Sequence, residues 1–433
     1  MQTKLQALCD FLNAAHSVYH VQSSLQRILT DAGYTHLREA QPWELVPGGK
    51  YFLTRGGTSL IAFRVPEEAP VGFLMSASHT DRPCFKLKTN GELSGVYTRA
   101  GVERYGSQLL FTWLDRPLSV AGRVLVETPE GAETRLVDID RDLMLIPNVA
   151  IHMNRQVNDG YKWNPTTDGI PLLGTAQARG QLLQLLETAA GGHILGHDLS
   201  LYVRQPASIW GLEENYLSAA ALDDLSCVWG CLQGFLNAGP SRSIPVFCAL
   251  DSEEVGSRSA QGAGSTLLEY TLLRIAGTLE VPLHPLLAQS VLISADNAHA
   301  LHPNHPELSD PANAPLLGGG VVIKFNANLK YSTDGMGAAL FRKVCQRAGV
   351  AVQTYCNRPD IPGGSTLGCI SIGHVSVPTV DIGLPQLAMH SCYETQAVSD
   401  AMDLELAMAE FFGSTLTLDE RGFRLESAAT NAQ

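Results

Sequence analysis

Short unbroken apolar runs recur along this chain, and each gives way abruptly to polar residues. Residues 71–79 read VGFLMSASH, 244–250 read IPVFCAL, 291–295 read VLISA and 379–383 read TVDIG. Runs of this length without alternation suit strands buried on both faces of a sheet rather than strands with one wet face. Between them the spacing changes to steps of three and four. Leu5, Leu8, Phe11, Leu12 and Ala15 predict an amphipathic opening helix, and residues 222–236 and 337–349 predict two more. Buried strands alternating with helices predict an α/β sheet covered on both faces. Residues 90–212 break the pattern with shorter strands such as GRVLVET at 122–128, frequent turn residues and the polar stretch NRQVNDGYKWNPTTDG. A β-rich domain inserted after the first sheet strand accounts for the change. The expected division is a main domain of residues 1–89 and 213–433 around an insertion of residues 90–212.

Composition narrows the class of partner. With 45% hydrophobic and 17% charged residues among 433, the chain has ample material for a packed core, which excludes wholesale disorder. Thirty Lys and Arg against 43 Asp and Glu leave a net charge of −13, and the densest basic stretch is Lys86 and Lys88. No nucleic-acid partner is expected from such a balance. Nine cysteines without a CxxC pair read as free thiols of a reducing compartment. Cys227 and Cys231 share a helix face but lack the second pair that a zinc knuckle needs. The opening MQTKLQALCDFLNAAH has no long apolar core of a secretory signal, and no run of about 18 apolar residues would span a membrane. A soluble, cytoplasmic protein is the expectation.

The candidate chemistry stands just beyond the strands. The first run ends in His79-Thr80-Asp81, the second in Asp251-Ser252-Glu253-Glu254, and the third in Asp296-Asn297-Ala298-His299. LPQLAMH follows the fourth and ends in His390, while the helix at 222 opens with Asp223-Asp224. Ligands of open α/β sheets bind outside the carboxyl ends of the strands, so these residues are expected at one rim. Mixed histidine and carboxylate donors suit zinc or a similar divalent ion. Two such ions sharing a bridging carboxylate need about five ligands, plus a spare carboxylate as base. A single acid after a strand is more often a turn or cap residue, and a single histidine more often merely hydrogen-bonded. Adjacent Glu253 and Glu254 are the stronger signal, because two neighbouring carboxylates beyond an apolar strand are costly without a cation. Other hydrolase signatures are missing: there is no HExxH, and GGSTLG at 363–368 lacks the GxSxG spacing. The glycines at 318–320 precede a strand rather than a helix, unlike a phosphate loop.

Longer blocks carry a family resemblance. HTDRPCFKLK from His79, TWLDRPLSVAGRV from Thr112, SEEVGSRSAQGAGSTLL from Ser252, SADNAHALHPN from Ser294 and DIGLPQLAMHS from Asp381 resemble the M18 metallopeptidases, in the family's order. The resemblance implies an α/β fold of the co-catalytic zinc peptidase type, a mixed sheet flanked by helices, with an inserted β-rich dimerisation domain. It also implies hydrolysis of the N-terminal residue of peptides. The best-known members are aspartyl aminopeptidases, which remove N-terminal Asp or Glu.

By that resemblance His79 and His390 each bind one of two divalent ions, most often zinc, with cobalt or manganese as alternatives, and Asp223 bridges them. Glu254 completes the site of His390 and Asp296 that of His79. Glu253 is the general base, and Asp81 holds the His79 imidazole in its metal-binding tautomer. Lys324, which interrupts the apolar strand VVIKF, matches a lysine that meets an acidic substrate side chain, and Tyr331 matches a nearby pocket residue. Read alone, Lys324 is more often a structural lysine snorkelling to the surface. His152 matches a histidine that reaches a neighbouring subunit's active site. The implied partners are peptides with an acidic N-terminus and further copies of the chain, assembled from dimers into a tetrahedral dodecamer.

The chain also departs from the family pattern. Ala221-Leu222-Asp223-Asp224 stands where Arg-Leu-Asp-Asn is common, and Ser252 where Asn or His is usual. Gly363 and Ser365 are displaced in the glycine-rich turn DIPGGSTLG at 360–368. Two other readings are an M18-type aminopeptidase of neutral or broad preference, with Lys324 purely structural, and a non-catalytic shell protein on the same fold.

Overall fold

The computed structural model describes residues 2–427; the outer ends of the expected main domain, residue 1 and residues 428–433, lie outside the described residues. The four apolar runs form the strands Phe73–His79, Ile244–Leu250, Val291–Ala295 and Thr379–Gly383, with every residue buried. They pair in parallel, Ile244–Leu250 beside Phe73–His79, then Val291–Ala295, then Thr379–Gly383. Their carboxyl ends therefore share one rim.

Further strands extend this centre on both sides, each side beginning with an antiparallel one. Ser59–Arg64 joins Ile244–Leu250, followed outward by Lys50–Arg55 and Thr35–His36. Val321–Phe325 joins Thr379–Gly383 antiparallel, followed by Val352–Cys356. Among the described residues the result is a nine-stranded mixed sheet.

The continuous apolar character of the strands follows from packing on both faces. Side chains alternate across a strand, so Phe247 and Ala249 join one core while Val246, Cys248 and Leu250 join another. The first core receives Leu225, Val228, Leu232 and Phe235 of the helix Leu222–Asn237, and Leu404, Met408 and Phe411 of the helix Val398–Phe412. Gly234 lets these two helices approach closely, since a Cβ there would stand 2.4 Å from that of Met408. The opening helix Gln2–Ala14 buries Leu8, Phe11 and Leu12 in the same core. Leu267, Leu268, Leu272 and Ile275 of the helix Leu267–Thr278 fill the second. Each such Leu or Phe taken wholly from water contributes about 1.5–3 kcal/mol.

The irregular middle of the chain builds a separate antiparallel sheet. Its six strands run in the order Gly131–Asp138, Leu118–Thr128, Ile194–Val203, Cys84–Leu93, Tyr97–Tyr105 and Leu172–Thr175. Phe85, Val120, Val124, Leu199 and Leu201 form its core with Leu182 and Leu186 of the helix Gln181–Ala190. The strand Cys84–Leu93 runs across residue 89, so pairing in this sheet begins only five residues after His79. A third sheet of five strands includes Tyr216–Ala219 and Glu394–Ala397, which flank the segments carrying Asp223 and His390. All nine cysteines are free thiols. Among the described residues no helix is long and apolar enough to cross a membrane.

Candidate active site

His79 is the last residue of its strand and is almost wholly buried. Its Nδ1 donates to the main-chain oxygen of Asp81 at 3.0 Å, nearer than the Asp81 carboxylate at 3.5 Å. That bond leaves Nε2 free to face Asp223 Oδ1 at 3.3 Å. His390 is arranged alike from another segment. Its Nδ1 donates to the main-chain oxygen of Ser107 at 2.8 Å, and its Nε2 stands 3.5 Å from Asp223 Oδ2 and 3.4 Å from Glu254 Oε2. One carboxylate thus offers one oxygen to each of two imidazoles, whose other nitrogens are fixed by main-chain acceptors.

Two donor groups converge here, each with its ligand atoms within 4.8 Å: His79, Asp223 and Glu254 in one, and Asp223, Asp224 and Asp296 in the other. Asp223 belongs to both. Asp224 Oδ1 and Glu254 Oε1 are buried without a hydrogen-bond partner, and so is Asp223 Oδ1, whose contact with His79 falls outside hydrogen-bond geometry. Buried carboxylate oxygens left unpaired are strongly unfavourable unless a cation sits among them. The donor set is hard oxygen with imidazole nitrogen, so it fits zinc or a similar divalent ion.

The electrostatics express the same crowding. Burial pushes the Glu254 and Asp224 carboxyls well above their ordinary range, with Asp223 adding to both. Glu253 is pushed up to about 8, by burial first and then by Asp296, Asp81 and Asp223, with His79 opposing. Burial works to raise Asp223 too, yet His79, His390 and Lys324 hold it below the usual carboxylate range. Burial disfavours a charge on His79, but Asp223, Asp81 and Asp224 outweigh it and raise that imidazole well above normal.

Asp81 is placed to organise the glutamate pair. Its Oδ1 accepts the amide of Glu253 at 3.0 Å, and its Oδ2 accepts the amide of Glu254 at 3.1 Å and the Tyr105 hydroxyl at 2.6 Å. Burial opposes its charge, but these donors and His79 keep its carboxyl below the usual range. The turn carrying the pair is tight, with Ser252 at φ +69° and Gly256 at +90°.

Lys324 is buried, and its Nζ donates to the main-chain oxygens of Asp296 at 2.6 Å and Asn297 at 3.2 Å. It stands 3.6 Å from Asp296 Oδ1 and 5.2 Å from the centre of the Tyr331 ring. Burial alone would lower its pKa; Asp296, Tyr331 and Asp381 raise it, so the ammonium stays charged. His79, Asp81, Asp223, Glu253, Glu254, Asp296, Lys324, Tyr331 and His390 therefore form one neighbourhood. His152 does not join them within the chain: it lies exposed in a turn between strands of the second sheet.

Sequence reasoning overlooked three participants. Tyr105 ends the strand Tyr97–Tyr105, and nothing in its surroundings along the chain marks it. Asp224 was named beside Asp223 and as a departure from the family pattern but was given no role, yet its Oδ2 accepts the His79 amide at 3.0 Å. Glu394 is buried and accepts the amides of Asp223 at 2.9 Å and His390 at 2.7 Å. A signal for it did exist: it is the only acid between Asp381 and Asp400.

Comparison with known proteins agrees with this geometry. The family model described as aminopeptidase I zinc metalloprotease (M18) matches residues 11–412. The chain is 38% identical over 421 residues to a probable M18 family aminopeptidase 2 of Clostridium acetobutylicum, covering 94% of this chain and 97% of that protein. A protein of the same description from Pseudomonas aeruginosa is 38% identical over 422 residues, covering 95% and 98%. The structure resembles Ape4 from its complex with Nbr1 at a TM-score of 0.90 and 34% identity, covering 94% of this chain and 85% of that one. It resembles the S. cerevisiae mApe1 dodecamer at 0.83 and 26%, covering 94% and 96%. A family match over nearly the whole chain, with close relatives along its full length, means that the protein belongs to the M18 family of metalloaminopeptidases.

Proposed function

We propose that this enzyme is a two-metal aminopeptidase that removes N-terminal Asp and Glu from peptides. The observation that carries the two-metal reading is Asp223, whose two oxygens face the Nε2 atoms of His79 and His390 separately. His79, Asp223 and Asp296 would hold one ion, and His390, Asp223 and Glu254 the other, with zinc the expected metal and cobalt or manganese able to replace it. Bound there, the ions supply Lewis acidity to the scissile carbonyl and the attacking water.

The protein's own groups supply the rest. Glu253 takes a proton from water and delivers it to the leaving amine, a task suited to a carboxylate held in the turn directly beside Glu254 and outside both ligand groups. Asp81 fixes the backbone of that turn, keeping Glu253 beside the reacting centre. Lys324 supports the acidic preference as a buried, charged ammonium beside Tyr331 at the Asp296 end of the site. An uncharged substrate side chain would offer that cation no acceptor beyond the two carbonyls and the Asp296 carboxylate it already has. Its two carbonyl contacts also suit the structural alternative, in which neutral residues are accepted.

The same proposal gives the inserted segment, residues 90–212, an assembly role. Solved relatives include a dodecamer, which supports self-association from dimers into a closed shell. His152, exposed on that segment, would then serve a neighbouring subunit's site. Turnover of matched Asp-, Glu- and Leu-anilides by the wild type and by Lys324→Met tests the substrate reading. Preference for Asp and Glu that falls about 10- to 100-fold relative to Leu in the variant is expected, since a hydrogen-bonded charge is worth about 1.5–3 kcal/mol. An Asp and Glu preference unchanged in the variant would remove Lys324 as its reader, and no such preference in the wild type would discard the acidic pocket and leave a broad aminopeptidase. No turnover of any anilide by metal-loaded protein would favour the non-catalytic shell.

A further inference from the structure

Metal ligands on separate segments must be held in register with one another, and the segments bearing Asp223, His390 and Asp296 are far apart in sequence. Glu394 lies between two of them. Its Oε2 accepts the amide of Asp223 at 2.9 Å and its Oε1 the amide of His390 at 2.7 Å, so one side chain fixes the backbone of both residues. Gln386 Nε2 approaches Glu394 Oε1 at 3.4 Å, and Gln386 Oε1 accepts from Asn297 Nδ2 at 2.7 Å. Asn297 follows Asp296 directly, and its Nδ2 also donates to the main-chain oxygen of Leu222, the residue before Asp223, at 2.8 Å. The path closes on itself: Asp296–Asn297 to Gln386, to Glu394, to Asp223 and His390, and back through Leu222 to Asn297. Glu394, Gln386 and Asn297 are all buried.

We infer that Glu394 is the positioning residue of the metal centre, and that with Gln386 and Asn297 it forms a buried network setting the relative placement of Asp223, His390 and Asp296. The chemistry requires a carboxylate at this position. Both partners are amide N–H donors, and only a group with two acceptor oxygens satisfies both; a glutamine amide presents one oxygen and an NH2 group that faces a donor. His390 needs this support in particular, because it sits at φ +67°, a conformation that a β-carbon disfavours. Glu394 touches no reacting atom in this account and acts through the backbone of the ligands.

The inference rests on Asp223 and His390 being metal ligands, and the experiment separates the two. Zinc is titrated calorimetrically into chelator-stripped wild type, Asp223→Ala and Glu394→Gln, with melting of each stripped protein recorded alongside. The expected result is tight binding by the wild type, loss in Asp223→Ala, and affinity about 10- to 100-fold weaker in Glu394→Gln, the usual effect of removing a group that orients a ligand. Turnover of Glu394→Gln should recover in excess zinc. A lowered melting temperature with wild-type zinc affinity would make Glu394 merely structural and overturn the inference. Unchanged affinity in Asp223→Ala would instead overturn the ligand assignment beneath it. If Glu394→Gln does not fold, Gln386→Leu removes both the donor to Glu394 at 3.4 Å and the acceptor of Asn297 Nδ2 at 2.7 Å while leaving Glu394 in place, and weaker zinc binding is again the required result.

Discussion

Asp81 holds Glu253 by its main chain: the Asp81 carboxylate accepts the Glu253 amide at 3.0 Å and, through its other oxygen, the next amide at 3.1 Å. The residue two positions after His79 therefore anchors the turn on which the proposed base and the proposed ligand Glu254 are displayed. Asp81→Asn replaces one acceptor with a donor facing an amide N–H. Its turnover should fall about 10- to 100-fold. Tyr105→Phe, which removes one of the three donors to that carboxylate, should fall less. Steady-state kinetics of both variants at saturating zinc check the order, and a larger loss in Tyr105→Phe would contradict it.

Glu253→Gln keeps the size of the side chain and removes its ability to carry a proton. Turnover should fall about 10²- to 10⁴-fold, the range for loss of a general base. Metal content should stay at the wild-type level, because Glu253 lies outside both ligand groups. Metal analysis beside kinetics decides it; wild-type turnover would remove Glu253 from the role of base.

Much of this site was legible because its residues stand at strand ends, where a buried apolar run makes the next charged residue conspicuous. His79, Glu254 and Asp296 were read in this way. Glu394 and Tyr105 were not, since their partners come from remote segments and no local pattern encodes such a meeting. The departures noted in sequence acquired a physical meaning only from the backbone. Ala221 and Ser252 both lie at positive φ, +59° and +69°. Asn and His, the types the family resemblance favours at Ser252, tolerate that region better than most residues. The fold was legible to a similar depth. Uninterrupted apolar runs imply a sheet covered on both faces, but they cannot say which neighbours run antiparallel, since both arrangements bury the same side chains.

Asp400 carries a pH dependence unconnected with catalysis. It is buried and accepts the amides of Gly318 at 2.9 Å and Gly320 at 3.0 Å, which fix the turn before the strand Val321–Phe325. Burial pushes its carboxyl up to about 7 although both amides pull it down. An unfolded aspartate titrates near 3.9, so between roughly pH 4 and 7 the native state keeps a proton that the unfolded chain has lost. Stability contributed at this site therefore falls as pH rises through that window and levels off above it. Denaturant unfolding of wild type and Asp400→Asn should show the variant gaining on the wild type by roughly 2–3 kcal/mol between pH 5 and 8. A difference independent of pH would show that Asp400 is ionised throughout.

The proposed sharing of Asp223 between two metal ions, with His79 on one and His390 on the other, has a direct consequence for metal content. Metal content by elemental analysis of purified, zinc-reconstituted protein tests it most directly, in the wild type and in His79→Ala, His390→Ala and Asp223→Ala. Two equivalents per chain are expected in the wild type, about one in each histidine variant and almost none in Asp223→Ala. An Asp223→Ala protein that keeps both ions and hydrolyses peptides at the wild-type rate would contradict it.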